Sequence, residues 1–152
     1  MDAKTLNRSH TTAIVRKKLS APIQWLLKNN LIDKTKTILD YGCGRGYDVL
    51  FLKEQGYDIY GYDPYYFNNE TNNYFDIILL TYVLNVVEEQ EEKNILQKLE
   101  QLKSNNGRYF VTVRRDLKEN KIQYKGYIQR MSYPNLYSIY KNSNFEIYSN
   151  KQ

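Results

Sequence analysis

The chain of 152 residues is long enough to bury the core of one domain, and we expect a single domain over residues 1–152. It has no apolar run of about eighteen residues and no apolar stretch behind a basic start, which argues against a membrane span and a signal peptide. The single cysteine excludes an internal disulfide and fits the reducing cytoplasm, while a net charge of +5 keeps nucleic acid open as a partner.

The first predicted elements are a helix and a strand. A helix follows the polar, basic residues 1–19, because Ser20 suits its N-cap, Pro22 suits its first turn and an apolar stripe comes next, made of Ile23, Leu26 and Leu27. Thr37 to Asp40 predicts the first strand. This order divides the domain into an N-terminal helical segment, 1–35, and a sheet core, 36–152.

A loop with glycine at every second position follows this strand. Gly42, Gly44 and Gly46 come directly before a predicted helix, Tyr47 to Gln55. Glycines at such a turn let the backbone approach a ligand that a Cβ atom would hold off. Cys43 lies among them, and a small side chain packed in the loop explains it better than a nucleophile does.

An acid follows the second predicted strand. This strand, Ile59 to Tyr62, ends at Asp63, about twenty residues after the glycine loop. A carboxylate at that place comes within reach of ribose hydroxyls. Strand, loop, helix and acid together predict a site for an adenosine-containing cofactor.

Two details favour S-adenosylmethionine (SAM) over a dinucleotide. The third glycine comes one position early, at Gly46, and Tyr47 stands where the dinucleotide fingerprint needs glycine. Asp40, directly before the loop, would repel a pyrophosphate but suits a cofactor with an ammonium and a sulfonium group. The pattern D-x-G-x-G-x-G resembles the first motif of class I SAM-dependent methyltransferases, which implies a Rossmann-like α/β sheet.

The segment after Asp63 is shorter than that fold normally requires. Only eleven residues separate Asp63 from Phe75, where the buried run Phe75 to Leu80 predicts the next strand. A strand with its crossover helix needs a dozen or more residues. We therefore expect the usual third strand and its helix to be missing or reduced, and the adenine to be held by loop 64–74, with Tyr65, Tyr66 or Tyr74 as candidates.

The C-terminal half predicts a long helix and several strands. Ile95, Leu96, Leu99 and Leu102 give Glu88 to Lys103 helical spacing, and Asn105–Gly107 reads as a turn. The elements expected after this turn are a strand Arg108 to Arg114, a strand Gly126 to Met131, a short helix Asn135 to Lys141 and a strand Phe145 to Tyr148. The order implies a mostly parallel sheet with an antiparallel element at its C-terminal end.

The sequence also resembles the DNA phosphorothioation-associated methyltransferases of bacteria. The similar segments run in the same order through nearly the whole chain: Ser9–Ile14, Leu19–Pro22, Leu39–Gly46, Gly61–Tyr66, Tyr82–Glu88 and Lys125–Arg130. The family's histidine–arginine pair near the start is Ser9–His10 here. The resemblance implies SAM binding and a link to DNA modification.

These patterns predict a set of site residues and no metal site, since one histidine and one cysteine form no ligand cluster. Asp40 would lie near the cationic end of the cofactor, the three glycines along it, and Asp63 on the ribose. The full predicted cofactor site is Asp40, Gly42, Cys43, Gly44, Gly46, Asp63, Pro64, Tyr65, Thr81 and Tyr82.

The acceptor side is predicted at the end of the strand that closes with Thr81 and Tyr82. Tyr82 and Asn85 are candidates to orient a substrate, although Asn85 is equally suited to cap the next helix, and His10 is a candidate general base, although an exposed histidine explains it as well. The segment Leu80–Asn85 contains no proline, so it lacks the motif with which DNA amino-methyltransferases orient an exocyclic amine.

Three functions therefore remain open. The first is methyl transfer to nucleic acid or a nucleotide-like group, the second is methyl transfer to a small molecule, and the third is SAM binding by an accessory protein without turnover. Two basic clusters bear on the first, since they are either nucleic-acid contacts or a solvated surface: Arg8, Arg16, Lys17 and Lys18, and then Arg114, Arg115, Lys118, Lys121, Lys125 and Arg130. A protein partner or a homodimer is also left open.

Overall fold

The computed structural model describes residues 18–67, 73–122 and 128–152. The candidate base His10 and the first basic cluster up to Lys17 lie outside these residues. The helices are α1 (Ala21–Lys28), α2 (Tyr47–Glu54) and α3 (Glu89–Leu102), with one 3₁₀ turn at Leu84–Val86. The strands are β1 (Thr37–Tyr41), β2 (Asp58–Tyr62), β3 (Phe75–Thr81), β4 (Lys103–Arg114), β5 (Lys121–Ile122), β6 (Ile128–Gln129), β7 (Tyr137–Lys141) and β8 (Phe145–Ser149).

Six strands form one sheet in the order β2-β1-β3-β4-β8-β7. The pairs β1–β2, β1–β3 and β3–β4 are parallel, whereas β8 is antiparallel to both β4 and β7. The predicted fold class, a Rossmann-like sheet with an antiparallel C-terminal element, is confirmed. Strand β2 lies at the edge of the sheet, and the described residues between it and β3 contain a single bridge, Asp63 with Phe67, in place of a further strand.

Both faces of the sheet are covered, which explains the continuous apolar run in β3. Ile78 and Leu80 pack on the face covered by α3, and Ile77 and Leu79 pack on the face covered by α1 and α2. Because successive side chains of a strand point to opposite faces, a strand buried on both sides needs an apolar residue at every position. Among the described helices, none is long and apolar enough to cross a membrane.

The C-terminal tail differs from its prediction. The helix expected over Asn135–Lys141 is wrong, because Tyr137–Lys141 forms the edge strand β7 and pairs with β8. Tyrosine and isoleucine favour a pleated, half-buried surface once a neighbouring strand is present, so tertiary pairing decided this segment. Of the strand predicted at Gly126–Met131, the described part that forms a strand is β6, which pairs with β5 as a separate ribbon.

The turn predicted at Asn105–Gly107 lies inside β4 rather than before it. The strand begins at Lys103, and its register with β3 jumps between the pairs Phe75–Lys103 and Ile77–Arg108. Four residues of β4 therefore bulge at this point. Gly107 is needed there, because a Cβ atom on it would come within 2.9 Å of the backbone of Ser104.

Candidate active site

The glycine loop joins β1 to α2 and takes a conformation that other residues rarely adopt. Gly42 and Gly46 have φ angles of +86° and +82°. A Cβ atom on Gly42 would come within 2.5 Å of Val83 Cγ2, and one on Gly46 would come within 2.9 Å of the Phe67 ring. The loop is therefore a backbone cradle that side chains from two other loops approach closely.

The predicted acid Asp63 holds this cradle in place. Its Oδ2 atom accepts a hydrogen bond from the backbone N–H of Gly44 at 3.0 Å. Its Oδ1 atom accepts from the N–H groups of Tyr65 at 2.9 Å and Tyr66 at 3.2 Å. One carboxylate thus connects the glycine loop after β1 with the loop after β2, and Pro64 lies inside the turn it closes.

Cys43 packs between the cradle and β2. Its Sγ atom would lie 2.9 Å from a Cβ atom on Gly61, so glycine at that position leaves room for the thiol. Burial raises the pKa of the Cys43 thiol, and the negative charges of Asp40 and Asp63 raise it further. A thiol in this environment stays protonated at neutral pH and is a weak nucleophile, in agreement with its interpretation as a packing residue.

Two further carboxylates lie beside the cradle. Asp40 is buried at the C-terminal half of β1, where it pairs in register with Gly61 of β2. Asp48 is buried in the first turn of α2 and accepts hydrogen bonds from the N–H of Ser20 at 2.9 Å and from its hydroxyl at 2.8 Å. Ser20 does precede α1, as predicted, but its hydroxyl binds Asp48 instead of capping the helix.

Thr81, predicted to bind the cofactor, ends β3, and Tyr82, predicted for both cofactor and acceptor, follows it directly. Tyr82 has a φ of +61°, and its N–H donates to the carbonyl of Thr112 at 2.9 Å. A left-handed conformation costs a bulky residue about 1–3 kcal/mol, and residues strained in this way cluster at active sites, ligand clamps and switch regions. The next residue, Val83, is the one that approaches Gly42. The three residues Thr81–Val83, which we call the Tyr82 turn, therefore border the cradle directly.

Asn85 is placed differently from Tyr82. It is buried, its Nδ2 atom donates to the carbonyl of Arg130 at 2.8 Å, and its Oδ1 atom accepts from the N–H of Arg114 at 2.8 Å. The residue before α3 is Glu88, so Asn85 does not cap that helix. The amide of Asn85 connects three segments of the chain, and its role in orienting a substrate stays a prediction.

The described arginines of the second basic cluster are paired with carboxylates. Arg114 binds Asp116 at 2.9 Å, Arg115 binds Glu146 at 2.7 Å, and Arg130 binds Glu92 at 2.6 Å. The hydrogen bonds that Arg114 donates to Asp116, together with the negative charge of Asp116, raise the pKa of Arg114 against the effect of burial. Lys118 is exposed. Within the described residues, most of this cluster's charge is therefore balanced locally.

The pair of Arg115 and Glu146 gives a pH dependence. Burial raises the pKa of Glu146, but hydrogen bonds from Ser138 and Arg115 outweigh it, and the net pKa lies below the ordinary 4.5. The resulting stabilisation is complete above pH 4.5 and is lost as the pH falls through the lower folded value. We expect Glu146→Gln to lower the free energy of unfolding by about 1–3 kcal/mol. In thermal melts, the variant should also lose less stability than the wild-type protein when the pH falls below 4.5; we call this fall in stability the acid limb.

The control for this prediction is Glu89→Gln, at an exposed position in the first turn of α3. It removes one carboxylate of the same type and is expected to keep the acid limb of the wild-type protein. Equal acid limbs for Glu146→Gln and the wild-type protein would contradict the assignment.

The described residues contain no group of three histidine, cysteine, aspartate or glutamate side chains that could hold a metal ion. The cradle does fit the adenosine-containing cofactor expected from the sequence. Gly42 and Gly44 are partly exposed on this loop, Asp63 closes it on one side, and Asp40 supplies a buried negative charge. The geometry matches the predicted roles of these residues, and those roles stay predictions for binding experiments.

A family of sequences described as a methyltransferase domain matches residues 12–150. The chain belongs to this family. The membership confirms the predicted cofactor, SAM, and makes the chain a methyltransferase by descent. No match occurs among curated proteins.

Several solved methyltransferases share the fold of this methyltransferase. The 1,6-didemethyltoxoflavin-N1-methyltransferase of Burkholderia thailandensis, solved with S-adenosylhomocysteine (SAH) bound, has a TM-score of 0.58 and 13% identity over 90% of this chain and 92% of its own. The DhpI–SAH complex has a TM-score of 0.57 and 8% identity, over 85% of this chain and 83% of its own. A TehB-like SAM-dependent methyltransferase of Corynebacterium glutamicum has a TM-score of 0.53 and 16% identity, over 81% of this chain and 83% of its own. At such identities the likeness shows the fold.

Sequence reasoning missed two residues at this site. Phe67 covers Gly46, and Asp48 ties α1 to the start of α2. The sequence did carry one signal for Phe67, since it is an aromatic residue four positions after Asp63. Asp48 gave no signal, because an acid in the first turn of a helix is already explained by the helix dipole.

Proposed function

We propose that this methyltransferase transfers the methyl group of SAM to a small molecule held at the Tyr82 turn. The observation that carries the proposal is the contact between the cradle and this turn, where Val83 lies against Gly42. It brings the strained backbone of Tyr82 to the edge of the cofactor loop. An acceptor bound against Tyr82 is thereby next to the cofactor.

Bound SAM supplies a methyl group on a sulfonium, which is already a good leaving group. The chain's own residues then have to bind, orient and exclude water. The backbone of the glycine loop packs along the cofactor, the buried carboxylate of Asp40 attracts its positive charge, and Asp63 accepts hydrogen bonds from ribose hydroxyls while it holds Gly44. Tyr82 orients the acceptor through its phenol.

Two observations favour a small acceptor over nucleic acid. The arginines at the C-terminal ends of the strands pair with Asp116 and Glu146, so they offer little free positive charge for phosphates. The chain from Thr81 to Asn85 lacks the proline-containing motif of DNA amino-methyltransferases, and Asn85 is buried with its amide bonded to main chain.

A nucleic-acid acceptor is the second candidate. The resemblance to the bacterial DNA phosphorothioation-associated methyltransferases favours it, as does the net charge of +5. This candidate expects binding to DNA or RNA that weakens steeply with salt, because Lys and Arg contacts release counterions from phosphates. A SAM-binding protein without turnover is the remaining alternative, and a SAM-binding chain that labels no fraction would support it.

The test uses SAM with a radiolabelled methyl group. Purified protein is first titrated with SAH by calorimetry, and it is then incubated with labelled SAM and separated cell extracts. We expect micromolar SAH binding and label in the small-molecule fraction. Label in the nucleic-acid fraction would replace this proposal with the second candidate, and absence of SAH binding would overturn the cofactor site itself.

Tyr82→Phe tests the acceptor side separately. The variant removes one hydroxyl and keeps the ring that packs partly into the core. We expect the rate of label transfer to fall about tenfold or more, as for loss of one positioning hydrogen bond, with SAH affinity unchanged within about twofold. The measurement pairs initial rates with calorimetry. Tyr60→Phe, at an exposed position of β2, is the control and should keep both values. Unchanged label transfer by Tyr82→Phe would remove Tyr82 from the acceptor site.

A further inference from the structure

Arg114 ends strand β4 next to the Tyr82 turn. The N–H of Tyr82 donates to the carbonyl of Thr112 at 2.9 Å, two residues before Arg114. Because side chains alternate between the two faces of a strand, Arg114 is on the same face of β4 as Phe110. Tyr82 packs against the apolar cluster on this face, which includes Phe110. Arg114 and Tyr82 therefore lie at neighbouring strand ends and on one face of the sheet.

Two sets of hydrogen bonds fix Arg114 in place. Its backbone N–H donates to the Oδ1 atom of the buried Asn85 at 2.8 Å. Its guanidinium donates to the carboxylate of Asp116, from Nε to Oδ1 and from Nη2 to Oδ2, both at 2.9 Å. Two parallel bonds fix the plane of the guanidinium as well as its position. The group is therefore oriented before a ligand binds, which reduces the side-chain entropy that binding would cost.

The other edge of this guanidinium is open. The bonds to Asp116 use the edge formed by Nε and Nη2, so one N–H of Nη1 and one of Nη2 remain side by side on the opposite edge. Within the part of the chain that the structure describes, these two N–H groups have no hydrogen-bond partner. The Arg114 side chain is 39% exposed. A fork of two parallel N–H donors is therefore available beside Tyr82.

The charge around this fork limits what it can bind. Asp116 balances the positive charge of Arg114, so the pair has no net charge. A phosphate or a carboxylate at the open edge would be repelled by the carboxylate of Asp116 across a short distance. Two neutral hydrogen-bond-accepting atoms in one plane avoid this repulsion, and arginine binds such a pair on the edge of guanine. The fork therefore suits a neutral ligand better than an anion.

We propose that Arg114 selects the methyl acceptor, and that this acceptor is a neutral planar small molecule in which a ring nitrogen lies beside a carbonyl oxygen. The inference rests on the proposed function, because it names the substrate class of the same site. Arg114 and Tyr82 hold the molecule from two neighbouring strand ends. Asp116 and Asn85 are positioning residues, since they act on the molecule through Arg114.

The test separates the small molecules of a cell extract by charge before they are incubated with the protein and radiolabelled SAM. We expect the wild-type protein to label the neutral fraction. Arg114→Lys keeps the charge and loses the planar fork, so label transfer to this fraction should fall about tenfold or more. SAH affinity, measured by calorimetry, should stay within about twofold of wild type. Arg108→Lys makes the same change earlier in β4 and is the matched control, which should keep both values.

Asp116→Asn tests the argument from charge. It removes the balancing charge but keeps one oxygen that accepts from Arg114. We expect the ratio of label in the anionic fraction to label in the neutral fraction to rise about threefold or more, because Asp116 no longer repels anions. An ion pair that only stabilises the fold would lower the label in both fractions together, and an unchanged ratio would contradict the assignment.

The outcomes separate this inference from the proposed function. Wild-type rates in Arg114→Lys, or wild-type labelling of charged small molecules alone, would overturn the assigned substrate class and leave the proposed function standing. A folded wild-type protein that labels only nucleic acid, or labels no fraction, would overturn both. Thermal melts of each variant confirm that the fold is retained.

Discussion

Replacing Asp63 by alanine is expected to weaken SAH binding about tenfold or more, the usual cost of losing hydrogen bonds to a charged group. The carboxylate that we place on the ribose also holds Gly44, Tyr65 and Tyr66 by their N–H groups. Its removal therefore takes away a ligand contact and loosens the cradle at once. Calorimetry measures the first effect, and a thermal melt measures the second.

Asp63→Asn separates the two effects. Its amide keeps one acceptor oxygen for the N–H groups of Tyr65 and Tyr66, or for that of Gly44, but not for both sides. We expect stability between those of wild type and Asp63→Ala, with SAH affinity close to that of the alanine variant. Asp58→Ala, at the exposed start of the same strand, is the control and should change neither value. Unchanged SAH affinity in Asp63→Ala would remove Asp63 from the cofactor site.

Gly42→Ala is expected to lower the free energy of unfolding by about 2–4 kcal/mol and to abolish measurable SAH binding. The left-handed φ of +86° accounts for part of this loss, and the overlap of the new Cβ atom with Val83 Cγ2 accounts for the rest. The overlap also pushes the Tyr82 turn away from the cradle. Chemical denaturation gives the stability, and calorimetry gives the affinity.

The chain contains its own control for the strain. Gly56 has a φ of +93°, but a Cβ atom on it would meet nothing closer than the Lys34 Nζ atom at 3.9 Å. Gly56→Ala should therefore show the backbone cost alone, about 1–2 kcal/mol, with SAH binding intact. Adding Val83→Ala to Gly42→Ala should recover part of the stability by removing the overlap. If Gly42→Ala is no worse than Gly56→Ala, Val83 does not press on the cradle.

The glycine loop and its link to Asp63 could be predicted from the sequence because their signals are local. Glycines at 42, 44 and 46 and an acid at 63 follow from the backbone conformation and the chemistry of one loop, and the structure brings them together as expected. The short segment between Asp63 and Phe75 was equally informative, since chain length alone limits what can fit there.

The parts that could not be read depend on contacts between distant residues. Tyr137–Lys141 became a strand because β8 lies beside it, and the amide of Asn85 is bonded to residues 29 and 45 positions away. The hydroxyl of Ser20 bonds to a carboxylate 28 residues further on. A secondary-structure propensity or a helix-capping rule considers one segment of the sequence, so it cannot predict partners that lie far along the chain.

The packing of Cys43 over Gly61 affects how readily its thiol is oxidised. The thiol packs between the glycine loop and β2, so a sulfenic acid or a glutathione adduct would push the loop away from that strand. The carboxylates of Asp40 and Asp63, which we assign to the cofactor, also raise the thiol's pKa together with burial. Since the thiolate is the form that reacts, we expect burial, together with these two charges, to slow the reaction of Cys43 with peroxide and alkylating reagents.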